Sequence, residues 1–197
     1  EFRRNKTMKT KPTLYFKKDK EWREWLHQNH EIHPQGVYLI FYKLEMEIPT
    51  MRWEEAVKIA LCYGWIDSTV KSLGDGKRQQ YFCPRNPKSV WSALNKSYLK
   101  ELKRENLLHK NGKRAIAEAK KNGSWTALDD VENLIIPEDL QKEFDNNAKA
   151  FSNFKNFSRS YRKSYLYWLN HAKREETRQK RISEIISLCE NNIKSRN

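Results

Sequence analysis

Trp65-Ile-Asp-Ser-Thr-Val-Lys-Ser-Leu73, then Gly74-Asp75-Gly76, then Lys77-Arg-Gln-Gln-Tyr-Phe-Cys83 is the stretch whose reading decides the fold. Two runs carrying β-branched and aromatic side chains flank a turn whose glycines and aspartate tolerate positive φ, the strongest hairpin signal in the chain. With Gly74-Asp75-Gly76 as the loop, Leu73 faces Lys77, Lys71 faces Gln79, Asp67 faces Cys83 and Trp65 faces Arg85. Trp65, Asp67, Lys71 and Arg85 then share one face, because strand side chains alternate, and Ile66, Val70, Gln80 and Phe82 share the other. A two-residue turn at Asp75-Gly76 would shift that register.

Upstream, Gly36-Val-Tyr-Leu-Ile-Phe-Tyr-Lys43 is a short apolar run bounded by glycine and charge, which predicts a central strand. It lies between two helical patterns. In the first, Asp19 is the expected N-cap, Trp22, Trp25, Leu26 and Asn29 recur at helical spacing, and Pro34 and Gly36 end the run. In the second, Thr50 caps a stripe of Trp53, Ala56, Val57, Ala60 and Leu61, stopped by Gly64. Downstream the reading turns helical: Ser89 caps a helix carrying Val90, Leu94, Tyr98 and Leu102, and another closes at Gly123. Pro137 opens a further helix, Ser158 caps one with Tyr161, Tyr165 and Trp168, and Arg174 to Asn192 forms the last.

The fold class predicted is α+β: mainly helical, with a small antiparallel sheet of about three strands and a helical C-terminal half. Residues 1–18 read as a flexible basic arm, 19–123 as an α+β portion containing the hairpin, and 124–197 as a helical portion packed on the same domain. Met8 is read as the natural start, which sets residues 1–7 outside the fold.

The 197 residues carry 39 Lys and Arg against 25 Asp and Glu, a net charge of +14, so the expected partners are anions. Aromatic residues make up 12% of the chain, too many for a disordered segment, and the seven Trp are expected to be mostly buried. Cys62, Cys83 and Cys189 are an odd set without Cys-x-x-Cys spacing; free thiols in a reducing, cytoplasmic compartment are the expectation. No run reaches the roughly 18 to 20 apolar residues of a membrane span.

Leu61-Cys-Tyr-Gly-Trp-Ile-Asp-Ser68, Lys71, Tyr81-Phe-Cys-Pro-Arg85, Ser89-Val-Trp-Ser92 and Asn95 form one characteristic string. Ser160-Tyr-Arg-Lys-Ser-Tyr-Leu-Tyr-Trp168, Ala172-Lys-Arg-Glu-Glu-Thr-Arg178 and Arg181-Ile182 form a second. Together the two strings resemble the YdeI/OmpD-associated family, also called the bacteriocin-protection family, over about Phe16 to Leu188. Ser164 departs from the resemblance, which implies an acidic residue there. The resemblance implies a bacterial cytosolic protein linked to resistance against membrane-active peptides, without an established reaction or cofactor.

The candidate ligand site follows from the hairpin register. Arg85 forks onto Asp67, and Trp65, Lys71, Ser89, Trp91, Ser92 and Asn95 surround a polar recess roofed by indole. It reads first as an ion pair fixing the hairpin to the next helix, as buried ion pairs commonly do, and second as an anion or small-ligand pocket. A second candidate is the basic surface of Lys173, Arg174, Arg178 and Arg181. Glu175, Glu176 and Glu184 are interleaved there at i,i+3 and i,i+4 spacing, so a salt-bridged helix face is the competing account. His27, His30 and His33 lack the further ligands of a metal site, no glycine-rich phosphate loop or Gly-x-Ser-x-Gly elbow occurs, and no catalytic residue or cofactor is assigned.

These observations favour a monomeric, non-enzymatic stress-resistance accessory that binds an anionic small molecule or a protein partner. Two alternatives stay open: an enzyme using the Asp67 and Arg85 recess, and a nonspecific nucleic-acid binder. The latter is disfavoured by the lack of zinc-finger spacing, an aromatic RNP-like strand motif or a heptad zipper.

Overall fold

The computed structural model describes residues 11–196, and most of the expected basic arm, residues 1–10, lies outside them. The described residues divide into two units, residues 11–90 with 94–125, and residues 91–93 with 126–196. The architecture is α+β with helix well in excess of strand. No helix among the described residues is long and apolar enough to cross a membrane.

The first unit carries a four-stranded sheet in the order β1-β2-β4-β3, formed by Thr13–Tyr15, Val37–Tyr42, Lys77–Pro84 and Trp65–Gly74. The strand missed by sequence reading is β1, which lies inside the segment read as a flexible arm. It pairs parallel to β2, making the sheet mixed, and Tyr38 N–H donates to Pro12 O at 2.8 Å at the same edge. Three residues have no periodicity to read; only the donors and acceptors of β2 make them a strand.

The hairpin also closes differently. Gly74 pairs with Lys77, leaving a two-residue turn in which Asp75 (φ 46°) and Gly76 (φ 68°) both take positive φ, the hand that matches strand twist. An irregularity between Ser72 and Gly74 absorbs one residue and returns Lys71 to Gln79, as expected. A second, between Asp67 and Val70, sets Asp67 opposite Phe82 and Trp65 opposite Pro84. Gln79 and Phe82 are three residues apart on β4, so Lys71 and Asp67 point to opposite faces. The expectation that Trp65, Asp67, Lys71 and Arg85 share one face is therefore corrected: Lys71 leaves it, and Val70, Gln80 and Phe82 join Asp67.

On the inner face Val37, Leu39, Phe41, Phe82 and Trp65 are all at most 2% exposed. They pack against α1 (Asp19–Asn29) and α2 (Trp53–Cys62), with Trp22 edge-on to Phe82 at 5.7 Å and to Trp65 at 6.3 Å. Lys17 and Lys18 N–H donate to Glu21 Oε2 at the start of α1, so Glu21 does the capping expected of Asp19. At α2, Arg52 N–H donates to Glu55 Oε2, and Thr50 Oγ1 instead accepts from Tyr42 N–H. The helix expected from Ser89 begins later, as α3 (Ala93–Arg104); α4 (Lys110–Asn122) follows and ends at Gly123 (φ 83°) as read.

The second unit contains α5 (Asp129–Glu132), α6 (Glu138–Asp145), α7 (Ala148–Asn156), α8 (Arg159–Asn170) and α9 (Glu175–Glu190) around Leu140, Phe144, Phe154, Leu166 and Ile185. Ser158 Oγ accepts from Tyr161 N–H, the cap read from sequence, and Asn147 Oδ1 accepts from Ala150 N–H.

Candidate functional site

The residues expected to form a recess come from β3, the segment after β4 and the first turn of α3. Trp65 is a core residue, 1% exposed, whose indole N–H donates to His30 O. The Asp67 carboxylate is held by two neutral donors, Trp53 Nε1 at 2.9 Å and Gln80 Nε2 at 2.5 Å, both on Oδ2. Lys71 stands exposed on the outer sheet face. Half-buried Arg85 donates through Nη2 to Val90 O; burial draws its guanidinium down to about 10, against the opposing charge of Asp67. Ser89 Oγ closes a turn onto Asn86 O, Asn95 lies in the first turn of α3, and Trp91 and Ser92 belong to the second unit, Trp91 buried.

Asp67 nonetheless leads to an open site, because the indole it anchors forms a wall. Between the first turn of α2, the end of β2, the following loop and the turn end of the hairpin lies a groove of about 1090 Å³. Trp53 and Phe41 supply aromatic surface, Arg52 and Arg78 supply positive charge, and Glu54, Glu55 and Asp75 also line it. The Arg78 guanidinium stacks over Phe41 at 5.5 Å, presenting cation and ring together. Lys58, also at the groove, is committed to Glu54 at 3.1 Å and Glu101 at 2.9 Å, and those carboxylates hold its ammonium pKa above the ordinary value. Sequence reading placed Trp53 on a buried stripe; its polar neighbours Arg52, Glu54 and Glu55 were the signal that it stands at the rim.

The basic C-terminal residues divide in two. Arg178 forks onto Asp139, Nε to Oδ2 and Nη2 to Oδ1, and that hydrogen bonding holds the Asp139 carboxyl below its usual range. Arg181 donates to Trp168 O and stacks over that indole at 4.9 Å. Lys173 and Arg174 are exposed. The i,i+4 contact expected from Glu175 is made by Gln179 Nε2 at 2.7 Å.

Of the three spaced histidines, His27 and His30 turn toward a fourth, His109, with ring centres 6.0 and 5.0 Å away, while His33 lies against Trp25. His109 caps α4, its Nδ1 accepting from Asn111 N–H, and stacks on Tyr63 at 4.9 Å. Burial, then the neighbouring His30 and His27, lower its pKa. Among the described residues no group of three His, Cys, Asp or Glu side chains is placed to hold a metal ion. All three cysteines are free, and burial raises the pKa of each, that of Cys189 to about 12, which keeps them as thiols.

Fold and groove together define a mixed-sheet α+β unit joined in sequence to a helical unit. The chain belongs to the family described as Domain of unknown function (DUF8412), whose model matches residues 14–115 and so contains the groove and all of the sheet except Thr13. Residues 133–192 match a second family model, Bacteriocin-protection, YdeI or OmpD-Associated. The resemblance read from sequence thus rests on the C-terminal string, while the string from Leu61 to Asn95 lies within the first match. No curated protein and no solved structure matches the chain.

Proposed function

We propose that the protein is a non-catalytic, cytoplasmic accessory that binds an anionic small molecule with a flat apolar portion in the groove beside Trp53. The observation that carries this reading is the lining itself: Arg52 and Arg78 set beside Trp53 and Phe41 in a cavity of about 1090 Å³, the size that takes small ligands. Aromatic walls suit a ring system, and guanidinium groups at the rim suit a carboxylate, sulfonate or phosphate. The match of residues 133–192 to a family named for bacteriocin protection supports a resistance role for the whole chain.

Calorimetric titration of the full chain with anilinonaphthalene sulfonate, an anion bearing flat rings, tests the site. Saturable one-site binding is expected, weakened at least tenfold in Arg52→Gln with Arg78→Gln and retained in Arg174→Gln. Binding that ignores the first pair, or fails to saturate, removes the groove as the site. Sedimentation of the chain as a monomer is expected alongside.

A further inference from the structure

The outer face of the sheet is a second surface, which meets the groove at Tyr42 and Lys77. Strand register places Tyr38 directly opposite Tyr81 on the two central strands, with ring centres 5.4 Å apart. At the other end Tyr15 and Tyr42 meet edge to face, also at 5.4 Å. The two pairs are four residues apart along β2, roughly 13 Å at strand rise. Ile40, 8% exposed, lies between them as an apolar floor, and the rings remain accessible, Tyr15 at 37%.

Positive charge frames these rings. Lys11 Nζ sits 3.9 Å over the Tyr81 ring and 5.8 Å from that of Tyr38, and the register places Lys71 and Lys77 on the same face. No Asp or Glu occurs among the strand residues that the register assigns to it. The hydroxyl of Tyr81 donates to Gln35 O at 2.6 Å and that of Tyr15 to Pro49 O, so two of the four rings are fixed by backbone acceptors.

We infer that this face binds single-stranded nucleic acid, with bases stacking on the two tyrosine pairs and phosphates meeting Lys11, Lys71 and Lys77. A sheet face bearing four aromatic rings fits unstacked bases, whose π surfaces are exposed only in a single strand, and a duplex offers no such faces to it. The lysines, with no carboxylate among the strand residues of this face, give it the sign a phosphate backbone requires, in line with the net charge of +14. Sequence reading found no RNP-like motif because the four tyrosines come from three strands, each contributing one or two.

Fluorescence anisotropy with the full chain and labelled oligouridylate and oligothymidylate of about ten nucleotides tests the inference. Both strands are expected to bind, with affinity falling as salt rises, and a duplex of the same length more weakly; a difference between the two arms reports contact with the 2′-hydroxyl. Tyr38→Ser with Tyr81→Ser is expected to weaken binding at least tenfold. Lys71→Glu with Lys77→Glu, which leaves the core untouched, is expected to weaken it similarly and flatten the salt dependence. The groove variant Arg52→Gln with Arg78→Gln is expected to leave strand binding within about twofold, separating this surface from the groove. No binding at about 100 μM protein, equal binding of duplex, binding indifferent to both the tyrosine and lysine variants, or binding of anionic lipid vesicles but not of either strand overturns the inference.

Discussion

Trp53, in the first turn of α2, donates its indole N–H to Asp67 Oδ2 on β3 at 2.9 Å, and Gln80 of β4 shares the same oxygen. A single carboxylate thereby joins a helix to two strands and fixes the indole that walls the groove. Asp67→Ala leaves the indole N–H and the buried Gln80 amide without their acceptor, a loss of roughly 2 to 3 kcal/mol. Trp53→Phe should cost less, and the double variant clearly less than the sum in urea unfolding. Strict additivity would show that the two side chains do not cooperate. Groove affinity for the anionic probe should fall in both single variants.

His109 makes the first unit acid-sensitive. Its folded pKa lies below the unfolded value near 6.5, so the unfolded chain binds the extra proton first. Stability is therefore full above about pH 6.5, falls as the pH drops through that value and levels off below the folded pKa. Thermal melts between about pH 7.5 and 5.5 should show a falling Tm, and His109→Gln should flatten that slope. The same slope in wild type and variant would show that His109 is not the group responsible.

Gly112 of α4 sits where a Cβ would come within 2.3 Å of Cys62 O and 2.8 Å of Leu61 O, both backbone atoms at the end of α2. Neither atom can yield without moving α2. Gly112→Ala should destabilise the first unit by about 1 to 3 kcal/mol despite alanine's better helix propensity. An unchanged or raised denaturation midpoint would mean that the two helices are further apart than described.

In the second unit the fork of Arg178 on Asp139 ties α9 to α6. Because the Asp139 pKa is lowered by the folded state, the stabilisation is present at neutral pH and is lost as the pH falls through the folded pKa, below the ordinary 3.8. Arg178→Met should remove roughly 1 kcal/mol at pH 7, the partly exposed setting limiting the effect, and progressively less as the pH falls below the ordinary carboxyl value. Carboxyl NMR should show Asp139 returning to the ordinary range; no change in its titration would dissociate the pair.

How far the sequence reaches depends on the range of the forces involved. The helices α1 and α2, strand β2, the hairpin, the glycine stop after α4 and the Ser158 cap were legible, because periodicity, capping and turn chemistry act within a few residues. The tail strings were legible for the same reason, each being contiguous. Strand β1 was not, since its partners lie on β2, and neither was the fork of Arg178, whose Asp139 is 39 residues away.

The hairpin marks the boundary most sharply. Gly74-Asp75-Gly76 determined by itself that the chain turns there, since few other residues tolerate the backbone required. Where Asp67 and Lys71 point was decided by two irregularities in β3, which arise as packing of Phe82 and Trp65 against Trp22 and the closure of a two-residue turn are satisfied together. One residue of slip moves a side chain through the sheet. That step separates Lys71 from Asp67 and brings Asp67 to Trp53, while the pairing of β1 and β4 with β2 gathers the tyrosines of three strands onto one face, none of which local sequence can encode.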